Sequence, residues 1–226
     1  MKPSGINWLG DIPEDWDVKK LKHLGKFIAG YAFKSEDFID SGTRVIKITN
    51  IETMKLNWED ESFLPIEYLR EYESFSAGNG DFVFALTRPI ISSGLKAALI
   101  EDCSQRVLVN QRNAIFHPNL LVNKRFIYFT AFSAQFLASF SSKLDATGQQ
   151  PNISTSEIGN ISIPLPPLSE QKAIAEYLDR ETGKIDSLIS RVESAIGKLK
   201  EYRSAVISAA VTGKIATTEH TEYTEG

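Results

Sequence analysis

The sequence predicts a mixed α/β (α+β) domain followed by a long C-terminal coiled-coil-like helix. Three observations predict it: short β-branched and aromatic runs up to about residue 165, a Phe- and Ala-rich helical segment among them, and a seven-residue apolar repeat beyond Ser169. The chain has 226 residues, enough for one or two domains. We place the domain at 1–168, the helix at 169–213 and a polar, acidic, flexible tail at 214–226.

The predicted elements of the domain follow from local composition. The turn-rich N-terminal segment contains Trp8 and Trp16, which we expect to anchor it to the core. Runs rich in β-branched and aromatic residues predict strands at 45–51, 82–87, 95–100, 107–116 and 158–163. Helices are predicted at 65–73 and at 123–144, the second ending before Gly148.

The C-terminal helix has the strongest pattern. From Ile174 to Ala209 apolar residues recur at alternating spacings of three and four, and only Glu181 in this series is charged. Ser169, after two prolines, is predicted as the N-cap, and Gly213 as the left-handed residue that ends the helix. Such a helix is about 60 Å long, more than one compact domain needs, so we interpret it as a spacer or an assembly device.

The apolar stripe of this helix predicts an interface. Four e positions, Ala175, Ile189, Ile196 and Ala210, are also apolar, which favours packing against more than one helix. We expect the dimer and partner interface to contain Ile185, Leu188, Val192, Leu199, Tyr202 and Val206. The cationic g positions Lys184, Arg191 and Lys198 either form a solvated face or repel in an in-register antiparallel pair.

Composition limits the classes of function. The net charge of −4 argues against DNA binding through bulk charge, but it allows a local basic surface or a partner that supplies positive charge. Cys103 is the sole cysteine, which excludes an internal disulfide. The sequence shows no apolar signal core and no run of membrane-spanning length, so we expect a cytoplasmic protein without membrane contact.

Catalytic motifs are not found in the sequence. His23, His117 and His220 are scattered, without the spacing of metal ligands, and there is no phosphate-binding glycine loop or nucleophile elbow. We therefore expect no catalysis, no metal and no cofactor in this chain, which argues against a stand-alone methyltransferase or nuclease.

Polar loop positions remain as candidate binding residues. Arg, Gln and Asn side chains can read guanine and adenine edges bidentately in the DNA major groove, although surface loops are polar in any protein. The candidates lie at the ends of predicted strands and in the loop before the last strand: Asn50, Arg88, Ser92, Ser93, Lys96, Gln111, Arg112, Gln149, Gln150 and Asn152.

Three segments together resemble a known family, the specificity subunits of type I restriction–modification systems. The segment 8–16, Trp-Leu-Gly-Asp-Ile-Pro-Glu-Asp-Trp, resembles the start of a target-recognition domain in that family. The segment 165–171, Leu-Pro-Pro-Leu-Ser-Glu-Gln, is similar to the beginning of its conserved helical spacer, and 200–203 with 210–215 to the end of that spacer.

The resemblance implies a non-catalytic subunit that binds double-stranded DNA. Its globular domain would read bases, and its helix would dock a methyltransferase subunit that carries S-adenosylmethionine, with a motor-nuclease subunit joining for restriction. Usual members contain two such units in tandem, whereas this chain has one. It is either a natural half-subunit or a fragment.

A half-subunit predicts a homodimer paired through the helix and a bipartite palindromic DNA target. The alternative is a structural or anti-restriction assembly module that binds the methyltransferase subunit without reading DNA.

Overall fold

The computed structural model describes residues 1–6, 9–101, 103–145 and 150–214. The chain divides into two units, Met1–Glu176 and Tyr177–Gly226. The long helix begins at Leu168, so the first unit includes its first nine residues and extends beyond the predicted domain limit of 168.

The α-helices are α1 (Tyr68–Glu71), α2 (Lys124–Ala131), α3 (Ala134–Ser141), α4 (Thr155–Gly159) and α5 (Leu168–Val211). The strands are β1 (Lys2–Pro3), β2 (Asp11–Ile12), β3 (Asp17–Lys20), β4 (Gly25–Ala29), β5 (Thr43–Ile46), β6 (Phe63–Leu64), β7 (Ser76–Ala77), β8 (Phe82–Ala85), β9 (Ile90–Ile91), β10 (Gly94–Leu95), β11 (Ala97–Leu99), β12 (Val107–Val109), β13 (Asn113–Pro118) and β14 (Ser162–Leu165).

A four-stranded antiparallel sheet, ordered β11-β8-β13-β4, forms the centre of the first unit. All four residues of β8 are buried, so this strand is apolar throughout rather than alternating with polar residues. Phe82 and Phe84 belong to the core on one face, whereas Val83 belongs to the core on the other face. The central sheet is therefore covered on both sides.

The second sheet, ordered β6-β5-β12-β7, covers one face of the central sheet. Its pairing of β5 with β12 is parallel and its other pairings are antiparallel. Ile46 and Val109 of the second sheet pack with Val83 and Ile115 of the central sheet in one apolar cluster. The outer face of the second sheet packs through Val45 against a cluster that includes partly buried residues of α1. The predicted mixed α/β (α+β) class is confirmed.

Helices α2 and α3 cover the opposite face of the central sheet. The sequence predicts one helix at 123–144, and that prediction is wrong because the helix breaks at Phe132 and restarts at Ala134. The Ser133 hydroxyl accepts from the Phe136 N–H and so caps the second helix. The break places Phe136 and Phe140 in the core beside Phe126.

Four predicted strands are also displaced or divided. The strand at 45–51 ends at Ile46, because Ile48–Asn50 forms a 3₁₀ turn closed by the Asn50 side chain. The strand at 107–116 is split by a turn at 110–112. The strand at 158–163 begins at Ser162, since the Ser154–Glu157 capping box starts α4 at Thr155. The strand at 95–100 is divided between β10 and β11, and the helix at 65–73 is shortened to α1.

The start of α5 is held within the first unit by buried polar contacts. Gln171 is 1% exposed, and its Oε1 accepts from the Asn123 N–H at 2.8 Å. Its Nε2 donates to the carbonyl oxygens of Leu121 and Pro166 at 3.2 and 2.9 Å. Trp16 donates to Glu170 at 2.9 Å, so this tryptophan anchors the N-terminal segment, whereas Trp8 lies outside the described residues.

The prediction of Ser169 as N-cap is wrong, because the helix begins one residue earlier, at Leu168, and the Pro167 carbonyl accepts from Glu170 and Gln171.

The end of α5 agrees with the prediction at Gly213. This residue has φ +69, its N–H donates to Ala210, and the Lys214 N–H donates to Ala209, the pattern of a Schellman motif. The tail beyond Lys214 lies outside the described residues. Within the described part of the chain, no helix combines the length and apolarity needed to cross a membrane.

The Gln171 contacts generate a stability prediction. We expect Gln171→Glu to lower the free energy of unfolding by about 3 kcal/mol, because a buried carboxylate would face the two carbonyl oxygens that the amide now satisfies. Urea denaturation followed by tryptophan fluorescence measures this change. Lys172→Ala, an exposed change in the same turn, should shift it by less than about 0.5 kcal/mol. Equal stability of the two variants would contradict the role of Gln171.

Candidate nucleic-acid interface

Most of the predicted binding residues meet at one end of the central sheet. The Leu86 N–H donates to Arg112 O, the Arg88 N–H donates to Pro151 O, and the Ala85 N–H donates to Lys96 O, at 2.8, 2.8 and 2.9 Å. These bonds bring together segments that are distant in sequence: 86–96, 110–112 and 150–152. We call this end of the sheet, formed by those three segments, the loop face.

Arg88 has a special backbone conformation on the loop face. Its φ is +46, in the left-handed region that side chains other than glycine seldom adopt. Buried Pro89 follows Arg88, and the Arg88 N–H donates to the carbonyl oxygen of Pro151. The side chain is exposed and makes no hydrogen bond or ion pair with another described residue. The guanidinium is therefore exposed to solvent, and within the described part of the chain its five donors are unused.

The hairpin of β9 and β10 contributes Ser92 and Ser93, which are both exposed. The hydroxyl of Ser93 lies 2.9 Å from that of Thr53, which links the hairpin to the loop at 51–56.

Lys96 lies at the base of this hairpin and is half-buried. Its ammonium donates to Ile48 O at 2.6 Å. Partial burial lowers the pKa of Lys96, while nearby Glu52 acts in the opposite direction. We infer that Lys96 connects two loops rather than offering a free cation.

The turn at 110–112 presents two exposed side chains, Gln111 and Arg112. It is held against β4 by Tyr31, whose N–H donates to Val109 O and whose carbonyl accepts from the Gln111 N–H, both at 2.9 Å. Gly30 permits this approach, because a Cβ there would collide with the carbonyl oxygens of Val109 and Asn110. Tyr31 is 37% exposed beside the turn, and the sequence analysis did not identify it as part of this face. The sequence signal for it is the Gly30-Tyr31 pair that follows an apolar run.

Asn152 is exposed and Gln150 is half-buried on the same face. The backbone of Asn152 pairs with Asp145 in both directions, and its side-chain amide donates to Gln150 O at 3.1 Å. Gln149 lies outside the described residues.

Asn50 is a second candidate whose predicted binding role the structure corrects. It is 1% exposed, and its side chain accepts from the Lys47 N–H and donates to the carbonyl oxygens of Asn57 and Asp60. All its polar groups are used to shape the loop at 47–60. It therefore supports the fold and has no group free to contact a ligand.

The second unit presents a separate, apolar surface. The six predicted interface residues are exposed by between 37% and 68% of their area, a set that comprises Ile185, Leu188, Val192, Leu199, Tyr202 and Val206. Glu181, the charged residue of the heptad series, bonds to Lys184 at 3.0 Å, and this contact lowers the pKa of its carboxyl group. Because the charge of Glu181 is compensated by Lys184, the apolar stripe is suited to pack against other helices.

Comparison with known proteins gives one family. Residues 13–194 match the model described as the type I restriction modification DNA specificity domain. The chain is 36% identical over 208 residues to the type I restriction enzyme MjaVIII specificity subunit of Methanocaldococcus jannaschii, covering 92% of this chain and 48% of that protein. It is 31% identical to the EcoKI specificity subunit of Escherichia coli K12, covering 91% and 44%.

Solved structures of this kind share the fold. The HsdS subunit from Thermoanaerobacter tengcongensis is similar with a TM-score of 0.60 at 18% identity, covering 91% of this chain and 47% of that one. A chain from a structure of the assembly and conformational transition of a type I system gives a TM-score of 0.68 at 16% identity, covering 89% and 47%. The chain thus spans about half the length of the relatives it matches.

The positive φ of Arg88 gives a prediction about the stability of variants at this position. Arg88→Gly should be more stable than Arg88→Ala by about 1 kcal/mol, because glycine adopts positive φ without steric cost. Chemical denaturation of the two variants measures the difference. At Lys26, an exposed position in β4 without positive φ, the order should reverse, with Ala more stable than Gly. A less stable Gly variant at position 88 would contradict the assigned strain.

Proposed function

The chain belongs to the type I restriction–modification DNA specificity family, and from this premise we propose that it is the subunit that reads the DNA target. The loop face would contact base edges, and α5 would dock a methyltransferase subunit. That partner would bind S-adenosylmethionine and carry out the chemistry, with a motor-nuclease subunit joining for restriction. The chain itself would be non-catalytic and would direct these subunits to their site.

One observation carries the proposal: two exposed arginines stand at the ends of neighbouring strands. Arg88 and Arg112 project from segments joined by the Leu86–Arg112 hydrogen bond, and neither guanidinium bonds to another described side chain. Arginine reads guanine through paired hydrogen bonds to O6 and N7, each good pair discriminating by about 1–3 kcal/mol. Two such groups on segments joined at the same end of the sheet are suited to recognising a short half-site.

Because the chain has one recognition domain, we propose that two copies pair through α5. A twofold pair presents two identical loop faces, and its symmetry would be mirrored in a palindromic target with an unread spacer. The exposed apolar stripe from Ile185 to Val206 supports this pairing. Apolar residues at e positions, Ile189 and Ile196, widen the stripe and leave surface for the methyltransferase.

Methylation mapping tests the reading function. In cells that carry this chain with its methyltransferase, sequencing should show methylation at a bipartite inverted repeat. Arg88→Ala or Arg112→Ala should relax one position in each half-site, because one bidentate contact is lost. Lys26→Ala, which removes one charge at the other end of β4, should leave the motif unchanged.

Other results would decide against the proposal. An unchanged motif in both arginine variants would remove the loop face as the reading surface. An asymmetric or contiguous target, with this chain as the sole specificity subunit, would refute the pairing. A complex that assembles but never acquires sequence-specific DNA affinity would favour the structural or anti-restriction module.

The role of α5 gives a further prediction. Leu199→Glu should leave the first unit folded but convert the paired chain to a monomer and weaken methyltransferase docking, because a buried unpaired charge is destabilising. Light scattering coupled to size exclusion measures the mass. Ser204→Glu is the matched control, since it adds the same charge at the outermost f position of the heptad. A dimeric Leu199→Glu chain would contradict the interface.

A further inference from the structure

A lysine-rimmed groove lies at the end of the central sheet opposite the loop face. Its volume is about 710 Å³, and its apolar lining comes from Val18, Leu24, Leu121 and Leu165. The polar lining consists of Lys19, Lys20, Lys22, His23 and Ser162. We call this feature the basal groove.

The basal groove concentrates positive charge in an acidic chain. Lys19, Lys20 and Lys22 are all exposed, and Lys19 lies 3.6 Å from Asp17 in a loose ion pair. Among the described residues, neither Lys20 nor Lys22 has an ion-pair partner. These cations give the basal groove a local positive charge, although the whole chain carries a net charge of −4.

The groove also exposes leucine side chains. Leu121 is 62% exposed, and adjacent Leu120 is 94% exposed. Their backbone is held firmly, because the Leu121 carbonyl accepts from buried Gln171 and the Asn119 side chain donates to His23 O at 3.0 Å. The groove is therefore preformed, with apolar surface that water covers poorly.

The register of the sheet separates this groove from the loop face. Pro118 pairs with Gly25 beside the groove, whereas Ala114 pairs with Ala29 near the turn at 110–112. The two pairs are four residue steps apart along the extended chain, a distance of about 13 Å.

We propose that the basal groove binds an acidic, amphipathic segment of the methyltransferase subunit. This inference rests on the proposed function, because it assigns a second contact to the same partner. The lysine rim complements carboxylates, and the leucine and valine lining complements the apolar side of such a segment. DNA fits less well, since a phosphate backbone would leave Leu120 and Leu121 uncovered.

The test measures binding of this chain to the purified methyltransferase subunit without DNA, by isothermal titration calorimetry at low and high salt. Lys19→Glu/Lys22→Glu should weaken binding at least about tenfold at low salt, and the deficit should shrink at high salt because charges are screened. Leu121→Ser should weaken binding at both salt concentrations. Lys19→Ala/Lys22→Ala should give an intermediate loss.

Lys34→Glu/Lys55→Glu is the matched control, since it makes the same charge change at lysines that are 75% and 71% exposed outside the groove. It should bind like the unmodified chain. Equal binding by the groove variants and this control would overturn the proposal, as would groove variants that lose only DNA affinity after normal assembly. Failure of the unmodified chain to bind would instead overturn the proposed docking itself, and this inference with it.

Discussion

The amide of Gln171 is the contact on which the rest of the first unit depends. One buried side chain satisfies the N–H of Asn123, where α2 is capped, and the carbonyl oxygens of Leu121 and Pro166. It therefore joins the first turn of α5, the proline segment before it and the layer of helices over the central sheet. An amide is suited to this position because it both donates and accepts without burying a charge.

Burial separates the polar residues that shape the loops from those that remain available for binding. Asn50 and Lys96 use their side-chain groups within the protein, and together they hold the loop at 47–60 against the hairpin of β9 and β10. Arg88 and Arg112 keep theirs exposed. A sequence contains asparagine, lysine and arginine in polar loops without distinguishing these roles, because the distinction depends on which carbonyl oxygens the fold brings within 3 Å.

Elements fixed by local sequence could be predicted, whereas those that depend on contacts with distant segments could not. The long helix was predictable because its apolar pattern repeats from Ile174 to Ala209, and the helix end at Gly213 was predictable because its conformation is local. The buried runs of β8 and β13 were recognisable as strands from their apolar residues. The break at Ser133 and the start of α4 were missed. At both places one hydrogen bond from a serine side chain to the backbone sets where a helix starts, and the composition of the surrounding segment does not reveal it. Pairing of β5 with β12 was beyond prediction because it joins distant segments.

The candidate site shows a related limit. Segments 86–96, 110–112 and 150–152 are brought together by backbone hydrogen bonds that leave no sequence signature. The lysines at 19, 20 and 22 did have a signature, a basic cluster between apolar residues, yet net charge conceals it. Charge averaged over a chain describes solubility and long-range steering, whereas recognition depends on where charge is left unpaired. In this protein unpaired cations occur at both ends of the central sheet, arginines at the loop face and lysines at the basal groove. A planar guanidinium favours bidentate contact with a base, and an ammonium beside exposed leucines favours an acidic protein segment.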